Sequence, residues 1–251
     1  MMKNTSSTDE PMRRPEQPIP PTNLYADNSK NTAIAQGFFR QVYSWMTFGL
    51  LVTGIIAYYT AHSPSLLKLI FGDKMVFYGL LLTNLGLVFA ISHWIESLSA
   101  TAASFLFFLY SALNGLTLAS ILMVYTHESI AAVFFITAGT FGATAAYGYL
   151  TKADLSKWGN ILFMALIGLI LASLVNMFLK SAAMMWVLTY AGVLIFVGLT
   201  AYDMQQLKKM AYSLEDDEET VGKFAVFGAL DLYLDFINLF LYLLRIFGKR
   251  R

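Results

Sequence analysis

The chain has 251 residues, of which 57% are hydrophobic and only 13% charged, with a mean hydropathy of +0.58. This composition is too apolar for an ordinary soluble domain and indicates a polytopic integral membrane protein. A net charge of +1 gives no electrostatic reason to expect a nucleic acid partner, and the absence of cysteine excludes disulfides, thiolate nucleophiles and cysteine-ligated metal centres.

Residues 1–35 form a polar leader that contains five of the six prolines among Ser, Thr, Asn and charged residues. Such a segment cannot bury enough apolar surface to order itself, so we expect a disordered N-terminal tail over residues 1–35 and a transmembrane domain over residues 36–251. The long polar stretch before the first apolar run is not typical of a cleavable signal peptide.

Seven apolar segments follow, each long enough for a bilayer core that needs about 20 residues per helix. They predict an all-α integral membrane protein with most of its surface in contact with the lipid bilayer. The spans run over residues 39–61, 75–95, 101–125, 130–150, 159–179, 184–207 and 224–247.

The distribution of lysine and arginine favours a cytoplasmic N-terminus. With seven full spans, ten of the 17 basic residues lie inside and seven outside, which is a weak bias. If the last segment instead re-enters and returns its C-terminus to the cytoplasm, the split becomes 14 against three. The position of the C-terminus therefore stays open.

The last span carries polar residues on one face. At about 100° per residue, its two aspartates, one asparagine, one tyrosine and one arginine fall within roughly 80° of each other. A charge near the bilayer centre costs about 2.5 to 3.5 kcal/mol on insertion scales, so we expect this helix to be the axis of the bundle. The polar stripe consists of Asp231, Asp235, Asn238, Tyr242 and Arg245. Near the helix end, Arg245 either reaches the interface or acts as a counter-ion.

A second acid, Asp203, lies about two turns inside the cytoplasmic end of the sixth span. Asp235 lies about 16 Å along the next, antiparallel helix, so the two carboxyl groups could meet and share a proton. Two alternatives remain open: Asp203 pairs with Lys208 or Lys209, and Asp235 is a protonated acid bonded to a carbonyl or to Asn238. Between these spans, the acidic run at residues 215–219 is either a solvated linker or a mouth that attracts cations.

The histidines argue against a metalloenzyme. In the predicted topology His62 and His127 end their spans on the outer side and His93 on the inner side, so they cannot converge on one metal. No Gly-x-Ser-x-Gly or His-Glu-x-x-His motif is present. We therefore expect neither an enzyme nor a cofactor.

Three motifs resemble the Bax inhibitor family of membrane proteins: LYLDFINLFLYLLRIFG in the last span, AYDMQQLK in the sixth and TKADLS after the fourth. The resemblance covers about residues 36–251. It implies a seven-helix fold in which six helices wrap the polar last one, a bacterial inner-membrane location, and activity as a pH-sensitive calcium leak. In that family the aspartates that match Asp203 and Asp235 form the proton-sharing gate.

Two features depart from the family pattern: the end of the second span reads SHWIESLSA, without the arginine that some bacterial members carry there, and spans two and four lack the glutamate that some members have within them. We predict a pH-sensitive calcium leak or cation sensor with Asp203, Asp235 and Asp231 along the ion path. Calcium binds Asp203 and Asp235 only in transit, and Asn238, Arg245 and Tyr202 are supporting residues. The alternative is a regulatory protein that binds a membrane protease or a cell-death or stress factor without transport.

Overall fold

A computed structural model describes residues 22–214 and 217–251, with side chains from residue 31 onward. Its described residues form eight helices, and seven of them are long and apolar enough to cross a membrane, as predicted. The helices are α1 (Thr22–Ala61), α2 (Pro64–Gly72), α3 (Lys74–Trp94), α4 (Ala100–Val124), α5 (His127–Leu150), α6 (Ser156–Leu179), α7 (Ala182–Ser213) and α8 (Glu218–Phe247).

Helix α2 lies in the connection between the first two predicted spans, where no helix was predicted. It begins after Ser63, whose side chain accepts a hydrogen bond from the Leu66 amide, and Pro64 occupies its first turn. A Ser N-cap followed by Pro is a common way to start a helix. The nine residues of α2 are too few to span a bilayer, so the number of spans stays at seven.

The N-terminal boundary differs from the one drawn at residue 35. Helix α1 already begins at Thr22, and Ala35 is buried against the core. No proline follows Pro21 until Pro64, so nothing in the backbone interrupts the helix over this range. Residues 1–21 lie outside the described residues, and the disorder expected there stays a prediction.

Helix α8 is the centre of the bundle, as its polar stripe predicted. In its most apolar 18-residue window 67% of the residues are buried, against 6% to 28% in the other six spans. It packs against α1, α4, α5 and α7 and touches α3. The large side chains that it buries completely include Tyr233, Leu230, Leu232 and Leu239.

Both ends of α8 are attached to the two ends of α4. At its start, the Glu219 carboxylate accepts a hydrogen bond of 2.6 Å from the Ala100 amide. After its end, the Thr126 amide donates to Lys249 O and the Arg251 amide to Val124 O, each at 2.9 Å. Because α8 is one continuous helix between these two attachments, the re-entrant alternative is wrong.

The described part of the acidic run serves helix ends. The side chain of Asp217 accepts a hydrogen bond of 2.9 Å from the Thr220 amide and caps α8, and Glu219 caps α4. The hydrogen bonds from Thr220 lower the pKa of Asp217. These contacts favour a linker over a mouth for cations; Glu215 and Asp216 lie outside the described residues.

Candidate functional site

A cavity of about 720 Å³ lies beside α8, between α3, α6 and α7. Helices α3 and α6 are the least buried spans, at 6% each, because the cavity separates them from much of the central helix. We call it the acidic cavity, because its only charged lining residues, among those described, are aspartates. Its polar lining consists of Asp203, Asp231, Asp235, Asn84, Ser92, Tyr110, Asn160, Tyr202, Asn238 and Tyr242.

The structure brings Asp203 and Asp235 together. Their carboxyl groups lie within hydrogen-bonding reach of each other, and the hydroxyl of Thr200 is also within reach of Asp235. Asp235 is only 4% exposed, whereas Asp203 and Asp231 are half-buried and border the cavity. Antiparallel packing of α7 against α8 produces this meeting, as the positions of the two aspartates along their helices predicted.

The two lysines near Asp203 bind elsewhere. Lys208 Nζ donates to the Tyr149 carbonyl at 2.7 Å, and Lys209 Nζ donates to Ser156 Oγ at 2.7 Å. The alternative in which one of them pairs with Asp203 is therefore wrong. The Asn238 NH₂ group donates one hydrogen to the Leu234 carbonyl at 2.8 Å, so that hydrogen is not available to Asp235.

Two oxygens in the acidic cavity lack a donor. Among the described residues, the buried side-chain N and O atoms without a hydrogen-bond partner are Asp235 Oδ2 and Asn84 Oδ1. The Asn84 amide nitrogen donates to the Leu80 carbonyl at 3.0 Å, which fixes its oxygen as the free atom. Buried polar atoms are nearly always satisfied, so each of these two oxygens still needs a donor, which for Asp235 a proton shared with Asp203 can supply.

Tyr202 also lines the acidic cavity, next to Asp203 in the chain. Its hydroxyl accepts a hydrogen bond of 2.7 Å from the Gln206 side chain. Its ring lies against Gly159 of α6, where a Cβ would come within 2.5 Å of the ring. The contact holds α6 close to α7 at this level and places the Tyr202 ring in the cavity wall.

Arg245 lies in a second cavity of about 530 Å³, near the Phe247 end of α8. We call it the basic cavity, since Arg245 and Arg250 are its only charged lining residues in the described part of the chain. Asn238 and Tyr242 line both cavities. Arg245 therefore does not act as a counter-ion in the acidic cavity, although it shares the polar stripe.

The ring of Tyr242 stands between the two cavities. It stacks on Phe196 with ring centroids 5.9 Å apart and sits against Gly192, where a Cβ would lie 2.5 Å from the ring. A glycine is therefore required at position 192 for the ring to take this place. The polar stripe is one face of one helix, but Tyr242 divides it into two environments.

Sequence reasoning missed the polar residues that the outer helices contribute: Asn84, Ser92, Tyr110 and Asn160. A lone asparagine within an apolar span was a usable signal, because an amide in the bilayer core needs a polar neighbour. No basic residue of the described chain lines the acidic cavity, and α3 presents Asn84 and Ser92 there. Within the described residues no three His, Asp or Glu side chains form a metal-binding group.

Six spanning helices around a buried polar seventh, with carboxyl groups facing a cavity, define an integral membrane protein that keeps its ionisable groups away from lipid. The sequence profile of the family described as "Inhibitor of apoptosis-promoting Bax1" matches residues 35–251. The chain therefore belongs to the Bax inhibitor family, and the resemblance found in its motifs is confirmed.

Two similar bacterial proteins are named as membrane proteins. The chain is 56% identical to the inner membrane protein YbhL of Escherichia coli K12 over 217 residues, 86% of this chain and 93% of that protein. It is 38% identical over 214 residues to an uncharacterized membrane protein of Streptococcus pyogenes serotype M1, covering 84% of this chain and 92% of the relative.

Proposed function

We propose that this protein is a pH-sensitive cation leak of the bacterial inner membrane, with calcium as the expected permeant ion. The observation that carries the proposal is the contact between the Asp203 and Asp235 carboxyl groups in a cavity whose charged lining residues, among those described, are all aspartates. Calcium prefers oxygen ligands, six to eight of them, and water supplies those that the protein does not. Calcium is the transported ion here, and the proposal includes no catalytic step and no cofactor.

The contact between Asp203 and Asp235 is the proposed gate. A hydrogen bond between two carboxyl groups requires a proton, so this contact holds when at least one group is protonated. Loss of that proton leaves two like charges side by side, which repel each other and attract a cation. The proposal therefore predicts more cation flux as pH rises and less as it falls.

Asp231 extends the acidic lining by one turn towards the Glu218 end of α8. Asp231 adds a third carboxyl group to the wall of the cavity, although the three do not form a metal-binding group among the described residues. We propose that the Glu218 end faces the cytoplasm, in line with the larger number of lysines and arginines on that side.

The test is calcium uptake into liposomes that contain the purified protein, measured at several pH values. The Asp235→Asn variant keeps the shape of the side chain and removes the titrating group, so we expect low flux with little dependence on pH. Asp154→Asn is the matched control, since Asp154 is an exposed loop acid outside both cavities. Equal flux and equal pH profiles in wild type and Asp235→Asn would exclude this gate.

A second candidate is a regulatory role through binding another membrane protein, such as a protease or a stress factor. The family's description as an inhibitor of apoptosis-promoting Bax1, which names inhibition of a protein, favours it. This role predicts that the N-terminal segment is needed for binding the partner protein. If the protein is regulatory, deleting residues 1–21, which precede α1, abolishes partner binding. If the protein is a cation leak, the same deletion leaves calcium flux unchanged.

A further inference from the structure

The basic cavity has the opposite character to the acidic one. It lies where α6 ends, α7 begins and α8 ends, so it sits near one face of the bundle. Arg245 and Arg250 line it, and no carboxylate of the described residues forms an ion pair with either guanidinium. The ion pair among the described residues, Lys209 with Asp154, lies outside this cavity. Both arginines are exposed, and two guanidinium groups without a carboxylate partner at one cavity are an arrangement that suits an anion.

The two arginines are held in place by separate contacts. Arg245 Nη1 donates to the Thr189 hydroxyl at 3.5 Å, and its guanidinium lies 6.0 Å from the Tyr242 ring centre. Arg250 lies 6.0 Å over the Tyr125 ring, in the segment that pairs with the backbone after α4. Neither arrangement depends on the aspartates.

A neutral donor from α6 completes the set. The Asn176 side-chain oxygen accepts a hydrogen bond of 3.0 Å from the Ser181 amide. Only the oxygen of an amide can accept from N–H, so the Asn176 NH₂ group remains as a donor in the cavity that it lines. The hydroxyl of Ser173 lines the same cavity.

We propose that the basic cavity binds a phosphate group, either that of an anionic lipid or a free phosphate. Arginine forks match phosphate oxygens, and the position near a helix end is the level at which lipid headgroups lie. The apolar part of the lining, Met177, Met185, Leu188 and Leu241, suits the glycerol and upper chain of a lipid. The contacts that support this site do not depend on cation flux through the acidic cavity.

The experiment measures binding to the purified full-length protein in an uncharged detergent. One arm titrates inorganic phosphate against chloride at equal ionic strength, and the other titrates phosphatidylglycerol against diacylglycerol, which lacks the phosphate. Thermal unfolding and native mass spectrometry report binding. Stabilisation by phosphatidylglycerol alone identifies a lipid, and stabilisation by both identifies the phosphate group as sufficient.

The variants are Arg245→Gln and Arg250→Gln, with Arg251→Gln as a matched control that removes a neighbouring charge outside the lining. We expect each of the first two to weaken binding by about tenfold or more, as for the loss of a charged hydrogen bond, and the control to bind as wild type does. Arg245→Lys keeps the charge and is expected to recover part of the affinity. The proposal is wrong if neither ligand binds, or if Arg251→Gln loses as much affinity as Arg245→Gln.

Discussion

The acidic and basic cavities lie along one face of α8, share two wall residues and carry opposite charge. The depth of the charged residues along the span explains why the two cavities carry opposite charge. Asp235 lies deep in the span, where a charge exposed to lipid is costly and must face protein or water. Arg245 lies within the last turn of α8, where a long side chain can reach the polar surface.

Along the polar stripe, counted from the Glu218 end of α8, the aspartates come first and Arg245 comes last. A cation in the acidic cavity is attracted by the aspartates, but towards the Phe247 end it meets the Tyr242 ring and then two arginines. Rings of charge of one sign are what select ions in many channels. Under the proposed function, the acidic cavity concentrates cations and the basic cavity opposes their exit until an anion neutralises it.

The largest expected effect comes from the contact between the two aspartates. Asp203→Asn and Asp235→Asn are each expected to lower calcium flux at neutral pH by about tenfold or more, because each removes a charge and the pH-dependent repulsion. The double variant is expected to be little worse than either single one, since the residues act as a pair. Flux into liposomes for the four proteins tests this cycle.

Asp231→Asn is the matched comparison for that cycle, because Asp231 lines the same cavity without being part of the proposed gate. We expect it to lower flux while keeping the pH dependence. Strictly additive effects of Asp203→Asn and Asp235→Asn would show that the two carboxyl groups work independently.

The next prediction concerns the ring that divides the cavities. Gly192→Ala places a Cβ 2.5 Å from the Tyr242 ring, so the ring must move, and we expect a loss of about 1 to 3 kcal/mol in the free energy of unfolding. Adding Tyr242→Leu is expected to recover most of this loss. Tyr242→Leu alone is expected to raise calcium flux, since it joins the two cavities.

Gly168→Ala is the control for that pair, since a Cβ at position 168 meets nothing within 4 Å. In the interior of α6 it is expected to leave stability unchanged or slightly raised. Thermal unfolding in detergent measures all four variants. If Gly192→Ala is as stable as Gly168→Ala, the Tyr242 ring is not confined by α7.

Much of the fold followed from hydrophobicity and from the cost of charge in a bilayer. These two considerations give the seven spans and the central position of α8, because each depends on composition along one helix. The meeting of Asp203 with Asp235 also followed, since consecutive antiparallel helices fix the relative depth of their residues.

What the sequence could not give depends on contacts between distant helices. The polar stripe of α8 reads as continuous, and its division by Tyr242 arises from Gly192 and Phe196 on α7. Asn84 faces the same cavity only because α3 stands away from α8 there. The polar composition before residue 36 carries no signal that α1 extends back to Thr22.

A smaller effect is expected at the C-terminal segment that positions Arg250. Deleting residues 249–251 removes the backbone hydrogen bonds to Thr126 and Val124, and we expect a loss of about 1 to 2 kcal/mol in unfolding free energy. Alanine at all three positions keeps these backbone bonds and removes the charges. We therefore expect the alanine variant to be as stable as wild type but to bind phosphate about tenfold or more weakly, as Arg250→Gln does. Equal stability of the two variants would show that the backbone pairing contributes nothing.

The smallest effect is expected at Asp154, an acid exposed in the loop between α5 and α6. Hydrogen bonds from Ser156 and from Lys209, the latter at 3.4 Å, lower its pKa. Because the pKa is lower in the folded state, the ionised carboxylate stabilises the fold at pH values above the unfolded-state pKa of about 3.9. This contribution is lost as the pH falls through the folded-state pKa. Asp154→Asn is therefore expected to lower the unfolding midpoint slightly at pH 7 and by progressively less as the pH falls below about 3.9.

The calcium flux profile of Asp154→Asn between about pH 5 and 8 should match that of wild type, because the loop carboxylate remains ionised throughout this range. Flux measured in the same liposome assay makes the comparison direct. A shift of that profile would mean that the pH response is not confined to the aspartates of the acidic cavity, and that the loop between α5 and α6 takes part in it.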